Sequence, residues 1–354
     1  MAFHIVWILL CDLCVSVVNL VIVEHHRKST RGMETMESLH NILNSLKLAR
    51  FELTLAASNE LHLPMYLGST LRGGFGTAFK RVVCALRDRL CHECILKGKC
   101  VYSYVFETPP PAGTTVMRKY ESSPHPFIIE PPQITHHEYK AGDTLTLNLI
   151  LIGRAIDYLP YFIYTFEEFG RIGIGKGRGQ FELQDVSCEG KTIYDSKTKI
   201  LTSFEHLTLN LEPEITHSLQ SLTLNFLTPC RIVYNGYLTK DLQFHIFIRN
   251  LLRRIALLSY FHSGCDTSQI DFKGIIEQAR QIRLAHDHLQ WYDWERYSAR
   301  QETRMKMGGF VGKITFEGDI TPFMPLIKAG DVLHVGKGTS FGLGRYERKC
   351  GIQN

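Results

Sequence analysis

The chain has 354 residues, 44% of them hydrophobic and 21% charged, which excludes an intrinsically disordered protein and suffices for two domains with separate cores. Its formal net charge of +5 suits an anionic partner without requiring one. Ten cysteines in so long a chain, four of them between Cys84 and Cys100, favour a metal site over a disulfide-stapled fold.

An apolar run at residues 2–23, followed by the charged stretch 24–28, precedes the part of the sequence that is typical of a globular protein. The run is long enough to span a bilayer, but the positive charge after it disfavours a cleaved signal peptide. We interpret residues 1–32 as an extension upstream of a native start at Met33 or Met36, with a membrane anchor as the alternative. The rest of the chain is predicted to be cytoplasmic.

The first half of the globular part is predicted as a strand, a helix, a proline-rich stretch, a strand, a helix and a strand. The alternation of Phe51, Leu53 and Leu55 indicates the first strand, and Ser69 is a candidate N-cap of the first helix. In chain order the elements cover residues 50–57, 69–87, 109–132, 144–152, 157–169 and 181–183.

The second half begins after a polar connection at residues 195–217. A strand, two helices, an aromatic and mixed segment, another strand and a short helix are predicted there. In chain order they cover residues 221–226, 242–261, 272–286, 291–298, 309–316 and 321–328.

A strand, a helix, a glycine-rich loop and a second strand follow each other once in each half. The first loop contains Gly175-Lys176-Gly177 and the second Gly336-Lys337-Gly338, with lysine in the same slot. This internal repeat predicts an α+β fold of two ferredoxin-like domains in tandem, at residues 33–205 and 206–354.

The second glycine-rich loop, residues 336–344, has the composition of an anion-binding segment. Glycines let backbone N–H groups approach an anion, lysine adds a charge, and hydroxyl groups add donors. It is not a nucleotide-binding P-loop, because neither the terminal GKS/T nor a following helix is present. An ordinary glycine-rich β-turn is the alternative. The candidate phosphate-contacting residues are Gly336, Gly338, Thr339, Ser340, Gly342 and Gly344, together with Lys337.

The cysteine segment predicts a structural metal site. Cys84, Cys91, Cys94 and Cys100 supply four sulfur ligands in a C-x6-C-x2-C-x5-C pattern. Zinc is favoured over an iron–sulfur cluster, with His92 as an alternative fourth ligand. Free thiols, with Cys84 as a buried helix residue, remain the competing interpretation.

RNA cleavage needs no metal, since the 2′-OH is the nucleophile and a base, an acid and a cation complete the reaction. The candidate catalytic residues are His334 beside the loop, His262, Tyr297 and Lys337. Most histidines in a chain with sixteen are surface or packing residues, so His334 stands out only through its neighbours. No cofactor is expected for catalysis, because the sequence has no paired carboxylates typical of a two-metal nuclease.

Arg296, Arg300 and Arg304 recur at four-residue spacing and would share one face of a helix. Aromatic residues lie beside them, which is typical of single-stranded RNA contacts. An aromatic core wedge with a charged exterior is the alternative.

Four segments together resemble the CRISPR-associated precursor-RNA processing endoribonucleases, the Cas6 branch of the RAMP superfamily. They are the stretch 64–76, which includes Arg72-Gly73-Gly74-Phe75-Gly76, the cysteine cluster with residues 102–107, the loop 173–181 and the stretch 291–346. The resemblance covers about residues 48 to 348 and omits the N-terminal extension.

This resemblance implies a tandem ferredoxin-like RNA-binding protein. Its relatives cut within CRISPR repeats without metal and leave a 2′,3′-cyclic phosphate and a 5′-OH, and several carry a catalytic histidine on the first helix of the first domain. Here that helix has Arg72 and Lys80 but no histidine, so that assignment does not transfer. Arg72, Lys176 and Arg178 are expected to contact RNA.

The expected function is therefore a metal-independent endoribonuclease that matures CRISPR repeat RNA. A non-catalytic RAMP subunit that binds guide RNA in a multisubunit interference complex is the main alternative, and a membrane-tethered zinc-binding interaction protein is a weaker one. CRISPR repeat RNA and such an effector complex are the expected partners, whereas no contact with DNA or a membrane is expected.

Overall fold

Two βαββαβ units follow each other along the chain in the computed structural model, which describes residues 39–87, 89–111, 113–114, 116–117, 122–132, 136–205, 218–298 and 303–352. Their strand orders confirm the tandem ferredoxin-like fold predicted from the sequence. The extension 1–32 and its candidate start residues lie outside the described residues. Within these ranges, no helix is both long and apolar enough to cross a membrane.

The first unit is built on an antiparallel sheet in which β3, β5, β1 and β6 lie side by side and β7 and β8 extend one edge. Its strands are β1 Leu48–Ala57, β2 Leu61–His62, β3 Phe127–Glu130, β4 Glu138–Tyr139, β5 Thr144–Ile152, β6 Phe181–Cys188, β7 Lys191–Asp195 and β8 Ile200–Leu201, and its helices are α1 Leu67–Val83 and α2 Leu159–Ile172. The register places Leu53 opposite both Leu147 and Val186, so the apolar alternation faces one side.

Aromatic rings fill the core between this sheet and its two helices. The ring of Phe75 lies 5.1–5.3 Å, centroid to centroid, from those of Phe79, Phe162 and Phe166. Burial of each such ring stabilises the fold by about 2 kcal/mol.

The second unit repeats the design with the sheet order β12, β15, β9, β16. Its strands are β9 Leu219–Cys230, β10 Val233–Tyr234, β11 Tyr237–Leu238, β12 Arg283–Tyr292, β13 Glu295–Ser298, β14 Thr303–Lys306, β15 Gly309–Glu317 and β16 Tyr346–Ile352, and its helices are α3 Phe244–Ser263, α4 Phe272–Ala279 and α5 Met324–Leu333. The glycine-rich loop joins α5 to β16, as the repeat predicted.

Strand β3 shows how the two units are joined. Phe127 and Ile129 point into the first core, whereas Ile128 belongs to the apolar cluster of the second unit. Successive side chains of a strand point to opposite faces, so Glu130 is also directed toward the second unit. The first sheet therefore packs its own helices on one face and the second unit on the other.

Three local predictions are wrong, two on the ends of helices and one on the segment with the arginine spacing. Helix α1 begins at Leu67 with Tyr66 as its N-cap, not with Ser69, because Tyr66 Oη donates to the carbonyl of Phe341 and tertiary packing fixes the helix start. The second predicted helix ends at Ala279, and the chain from Arg283 instead pairs as β12 with β15.

The segment with the arginine spacing is a two-stranded hairpin of β13 and β14, not a helix. In its backbone register Tyr297 is paired with Arg304, on opposite strands. Arg296 lies on β13, and Arg300 lies outside the described residues. The shared helical face therefore does not exist.

Candidate functional site at the domain interface

The glycine-rich loop is inserted between the two units. Thr339, Ser340 and Phe341 form a short 3-10 turn that is buried, and Gly342 and Gly344 behind them are buried as well. Only its tip, Gly336 to Gly338, reaches solvent, and Lys337 is exposed there. The expected open anion cradle is thus limited to the tip, and most of the loop is a domain contact.

Gly342 shows why the contact requires glycine. Its φ angle is +79°, and a Cβ atom there would lie 2.4 Å from Cδ of Pro131 and 2.8 Å from the carbonyl oxygen of Ile129. Any side chain would push the loop away from the residues after β3. The glycines therefore serve close packing of backbone on backbone.

Arg72, on α1, binds the glycine-rich loop. Its guanidinium lies between the rings of Phe106 and Phe341, 4.6 and 4.5 Å from their centroids. Its Nε donates to Ser340 Oγ at 2.9 Å, and its Nη2 donates to His125 Nε2 at 3.0 Å. Stacking on two rings and two hydrogen bonds hold this side chain in the interface.

His334 is fully buried in the same interface. Its Nε2 lies 2.8 Å from Glu130 Oε1, and its Nδ1 lies 3.1 Å from the carbonyl oxygen of Leu343. Both neighbours are acceptors when the carboxyl group is ionised, so both contacts are satisfied only when each ring nitrogen carries hydrogen. This placement, with no exposed surface, favours a structural role over contact with a substrate.

Glu130 is the centre of this buried charge network. Arg50 Nη2 donates to its second carboxylate oxygen at 2.9 Å, and Arg345 Nη1 lies 3.9 Å from the same atom. Burial alone would raise the pKa of Glu130, but the hydrogen bond and charge of His334 and the charges of the two arginines lower it overall. The network joins β1 and β3 of the first unit to the C-terminal end of α5 and to the residue before β16.

A pocket of about 240 Å³ opens where α3 ends against the first unit. Gly153, at a φ angle of +56°, permits this approach, because a Cβ atom there would lie 2.1 Å from the carbonyl oxygen of His262. The lining residues are Ser45, Lys47, Gly153, Arg154, Ile156, Asp157, His262 and Ser263.

His262, one of the lining residues, forms a hydrogen-bonded pair with Tyr104. His262 Nε2 lies 2.7 Å from the carbonyl oxygen of Pro124, so Nε2 carries hydrogen and donates. The neutral ring then presents Nδ1 as an acceptor to Tyr104 Oη at 3.1 Å. The guanidinium of Arg154 lies 4.1 Å from the centroid of the Tyr104 ring.

The surroundings keep both groups of this pair neutral at pH 7. Burial, with smaller contributions from the charges of Arg154 and Arg254, lowers the pKa of His262 to about 4 against the opposing effect of the hydrogen bond to Pro124. Burial raises the pKa of Tyr104 to about 12. The histidine is therefore available to accept a proton and the phenol to donate one.

His125 connects the pocket to Arg72. Burial, followed by the charge of Arg72, lowers its pKa to about 3, so its Nε2 accepts the arginine hydrogen bond. Nδ1 then carries the hydrogen and points at Thr108 Oγ1, 3.3 Å away. His125 directly follows Pro124, whose carbonyl accepts a hydrogen bond from His262. A chain of polar contacts therefore runs from Ser340 of the glycine-rich loop through Arg72 and His125 to the pocket.

The other predicted RNA-contacting residues lie apart from this pocket. Lys176 and Arg178 are exposed on the glycine loop of the first unit. That loop is tied to β2 by the backbone of Lys176, whose N–H donates to the carbonyl of His62 at 3.0 Å. The structure therefore brings together His262 and, through the polar chain, Arg72 and Ser340.

The cysteine segment forms a series of turns between α1 and a short π-helix at Ser103–Glu107. Burial raises the pKa of Cys91, and Glu107 raises it further, as do Cys84 and Cys100, against Lys80. Across the described residues, no group of three or more His, Cys, Asp or Glu side chains is arranged to hold a metal ion. The four predicted ligands are thus neighbours along one segment without forming a coordination shell.

Sequence reasoning missed Tyr104, Arg154 and Lys47. Tyr104 carries one local signal, since it lies in the π-helix, a rare turn that is frequent at functional sites. Lys47 precedes β1 and Arg154 follows β5, and no motif marks either residue. Only the docking of α3 against the first unit brings them beside His262.

Family comparisons agree with the two-unit architecture. Residues 46–206 match a family described as "AF_1859_N: N-terminal domain". Residues 224–346 match the family of the CRISPR-associated endoribonuclease Cas6. Over residues 224–346, the chain carries a Cas6 domain.

Individual relatives are more distant. An uncharacterized protein of Archaeoglobus fulgidus is 26% identical over 189 residues, which make up 52% of this chain and 62% of that protein. One chain of a partial Cas6-RT-Cas1–Cas2 complex superposes with a TM-score of 0.52 and 14% identity, over 87% of this chain and 47% of its own. A Cas6 product complex superposes with a TM-score of 0.51 and 16% identity, over 85% of this chain and 100% of its own. These structures share the fold of this Cas6-domain protein.

Proposed function

We propose that the protein is an endoribonuclease that cleaves CRISPR repeat RNA into guide RNA, and that the reaction takes place in the pocket at the domain interface. The Cas6 domain supports the class of substrate and of reaction. The pocket supports the location, because its lining combines a neutral histidine with two cationic side chains, and the histidine is hydrogen-bonded to the phenol of Tyr104.

The observation that carries this proposal is the composition of the pocket wall. Lys47 and Arg154 place two positive charges on it against the one carboxylate of Asp157, and Ser263 Oγ is buried there with no hydrogen-bond partner among the described residues. A buried hydroxyl without a partner costs free energy of about 1–3 kcal/mol, which a bound phosphate oxygen would remove. The pocket is therefore suited to one phosphodiester.

The proposed reaction forms the bond between the 2′ oxygen and phosphorus and breaks the bond between phosphorus and the 5′ oxygen. The 2′-OH proton passes to Tyr104 Oη while the phenol proton passes to His262 Nδ1. Lys47 donates a proton to the departing 5′ oxygen, and Arg154 stabilises the charge on the phosphate. The products are a 2′,3′-cyclic phosphate and a 5′-OH, and no step requires a metal ion.

Substrate binding strengthens the base in this scheme. The pKa of His262 is low mainly because of burial, and the charge of Arg154 lowers it further. A phosphate anion next to Arg154 offsets that charge and raises the basicity of His262. The histidine is thus a stronger base with RNA in place than without it.

Two other groups of residues complete the proposal. Lys337, Lys176 and Arg178 are exposed on their loops and are proposed to contact the RNA backbone outside the pocket. Structural zinc at the cysteine segment and retention of the product in a multisubunit effector complex are further parts of the proposal.

The test is incubation of the protein with repeat RNA in EDTA under single-turnover conditions. One cut with a cyclic-phosphate end is expected, and Tyr104→Phe and His262→Gln should each slow it by about 100-fold or more with little change in RNA affinity. Exposed Tyr161→Phe is the matched control and should cleave normally. Tight binding of intact RNA by the unaltered protein would instead support the non-catalytic guide-binding subunit.

A further inference from the structure

A basic groove lies between α3 and α4, on the outer helical side of the second unit. Its volume is about 440 Å³, within the range of about 300–1,000 Å³ that is common for ligand sites. It is lined by Arg249, Arg253, Phe272, Lys273, Ile276, Glu277 and Arg280. Four cations thus share the groove with a single carboxylate.

The charge of this groove comes from neighbouring turns of α3 and from both ends of α4. Arg249 and Arg253 lie four residues apart on α3, where like charges destabilise a helix. Of the facing cations on α4, Arg280 is paired with Glu277, with Nε 3.4 Å from the carboxylate oxygen. A bound anion would offset the net positive charge of this groove.

The arginines of the groove also affect the pKa of a nearby histidine. His245 is half-buried on α3, and burial lowers its pKa, as do the charges of Arg280 and Arg249, against Glu277. The effect of the arginines extends beyond the lining residues themselves. Both arginines therefore lie close enough to His245 to affect its protonation.

Phe272 gives the groove a second kind of contact. It is the first residue of α4, and its side chain is 37% exposed at the rim. The side chain of Asp271 accepts a hydrogen bond from Gly274 N at 2.9 Å, which fixes the start of the helix and hence the position of this ring. An exposed aromatic ring beside guanidinium groups suits a base stacked next to its phosphate.

We infer that this groove is a second RNA-binding site, which takes a single-stranded segment through its phosphates and one stacked base. It is separate from the pocket at the domain interface, with which it shares no lining residue. The choice of RNA as ligand rests on the proposed function, whereas the charge and the exposed ring do not. Such a site would hold the strand that enters or leaves the cleavage pocket.

The test measures the affinity of the full chain for a fluorescein-labelled oligouridylate, a single strand without the repeat sequence, by fluorescence anisotropy across a salt series. The Arg249→Gln/Arg253→Gln variant should bind about ten-fold more weakly, with a salt slope lower by about 1.4, since each phosphate contact on a single strand contributes about 0.7. Phe272→Ala should lose about five-fold or more in affinity through lost stacking.

Lys191→Gln/Lys197→Gln is the matched control, since it removes the same charge from exposed positions on and beside β7 of the first unit. Its affinity and salt slope should change much less than those of the groove variant. Equal changes in both would overturn the inference, and unchanged binding by the groove variant would point to an acidic protein segment as the occupant. Thermal midpoints equal to that of the unaltered protein exclude misfolding. Cleavage of repeat RNA is measured separately, so failure of the groove and failure of the proposed activity are distinguishable.

Discussion

Replacement of His334 by alanine separates a structural role from a catalytic one. The substitution removes the contacts of the ring with Glu130 and Leu343 and leaves a fully buried space. The carboxylate of Glu130 keeps its hydrogen bond to Arg50, so part of its charge remains compensated.

The expected cost is large enough to measure. Breaking a buried ion pair costs about 3–5 kcal/mol, and the remaining arginine places this case near about 3 kcal/mol. For domains of this size about 1 kcal/mol shifts the melting temperature by about 2–4 °C, so the expected decrease is about 6–12 °C. The matched control His62→Ala removes a side chain that is 45% exposed, whose carboxylate neighbours lie 3.9 Å away, and should shift the melting temperature by about 2 °C or less.

Thermal unfolding at pH 7 and single-turnover cleavage, measured well below the melting temperature of the variant, form the assay. We expect a lowered melting temperature with a cleavage rate within about three-fold of the unaltered protein. A cleavage rate that falls by about 100-fold with an unchanged melting temperature would refute this reasoning and make His334 the catalytic base.

Three further predictions concern the interface, the pH response and the cysteines. Gly153→Ala should lower the melting temperature and increase proteolysis between the units, because its Cβ would meet the carbonyl of His262; an unchanged digestion pattern would contradict this. Folding lowers the pKa of His262 from 6.5 to about 4. The contribution of this residue to the free energy of unfolding is therefore complete above pH 6.5 and is lost as the pH falls toward 4, by about 3 kcal/mol in total. His262→Gln should therefore weaken the acid dependence of the melting temperature, and an identical dependence would count against a buried neutral ring. If zinc is bound, metal analysis should find it in the purified protein and not in the Cys91→Ser/Cys94→Ser variant, whereas metal-free, fully folded protein would refute the zinc prediction.

The sequence predicted the repeat better than the site. Strand and loop periodicity are local, so the alternation at Phe51 and the duplicated glycine loops were enough to predict two ferredoxin-like units. The residues after Ala279 were predicted to be helical because apolar residues two to four positions apart, over so short a stretch, fit both the helical period and the strand period. This segment is a strand because it pairs with β15, and no local sequence pattern reveals that pairing.

The site depends on contacts between residues far apart in the chain. His262 is recognisable in the sequence only as one histidine among sixteen. Its partners Tyr104 and Arg154 precede it by more than a hundred residues, and only the docking of the two units brings them together. Pairs of residues so far apart in the chain leave no spacing signature, unlike a metal motif within one segment.

The glycine-rich loop that dominates the C-terminal sequence acts mainly on the geometry of the interface. Its buried part holds Arg72 through Ser340 and Phe341, and Arg72 in turn holds His125, next to the residue that accepts the hydrogen bond of His262. A base that must accept a proton from one atom needs a fixed ring orientation, and the carbonyl of Pro124 provides it by fixing the tautomer. The loop therefore contributes to the proposed chemistry through the position of this carbonyl, while its exposed tip at Lys337 remains available for the RNA backbone.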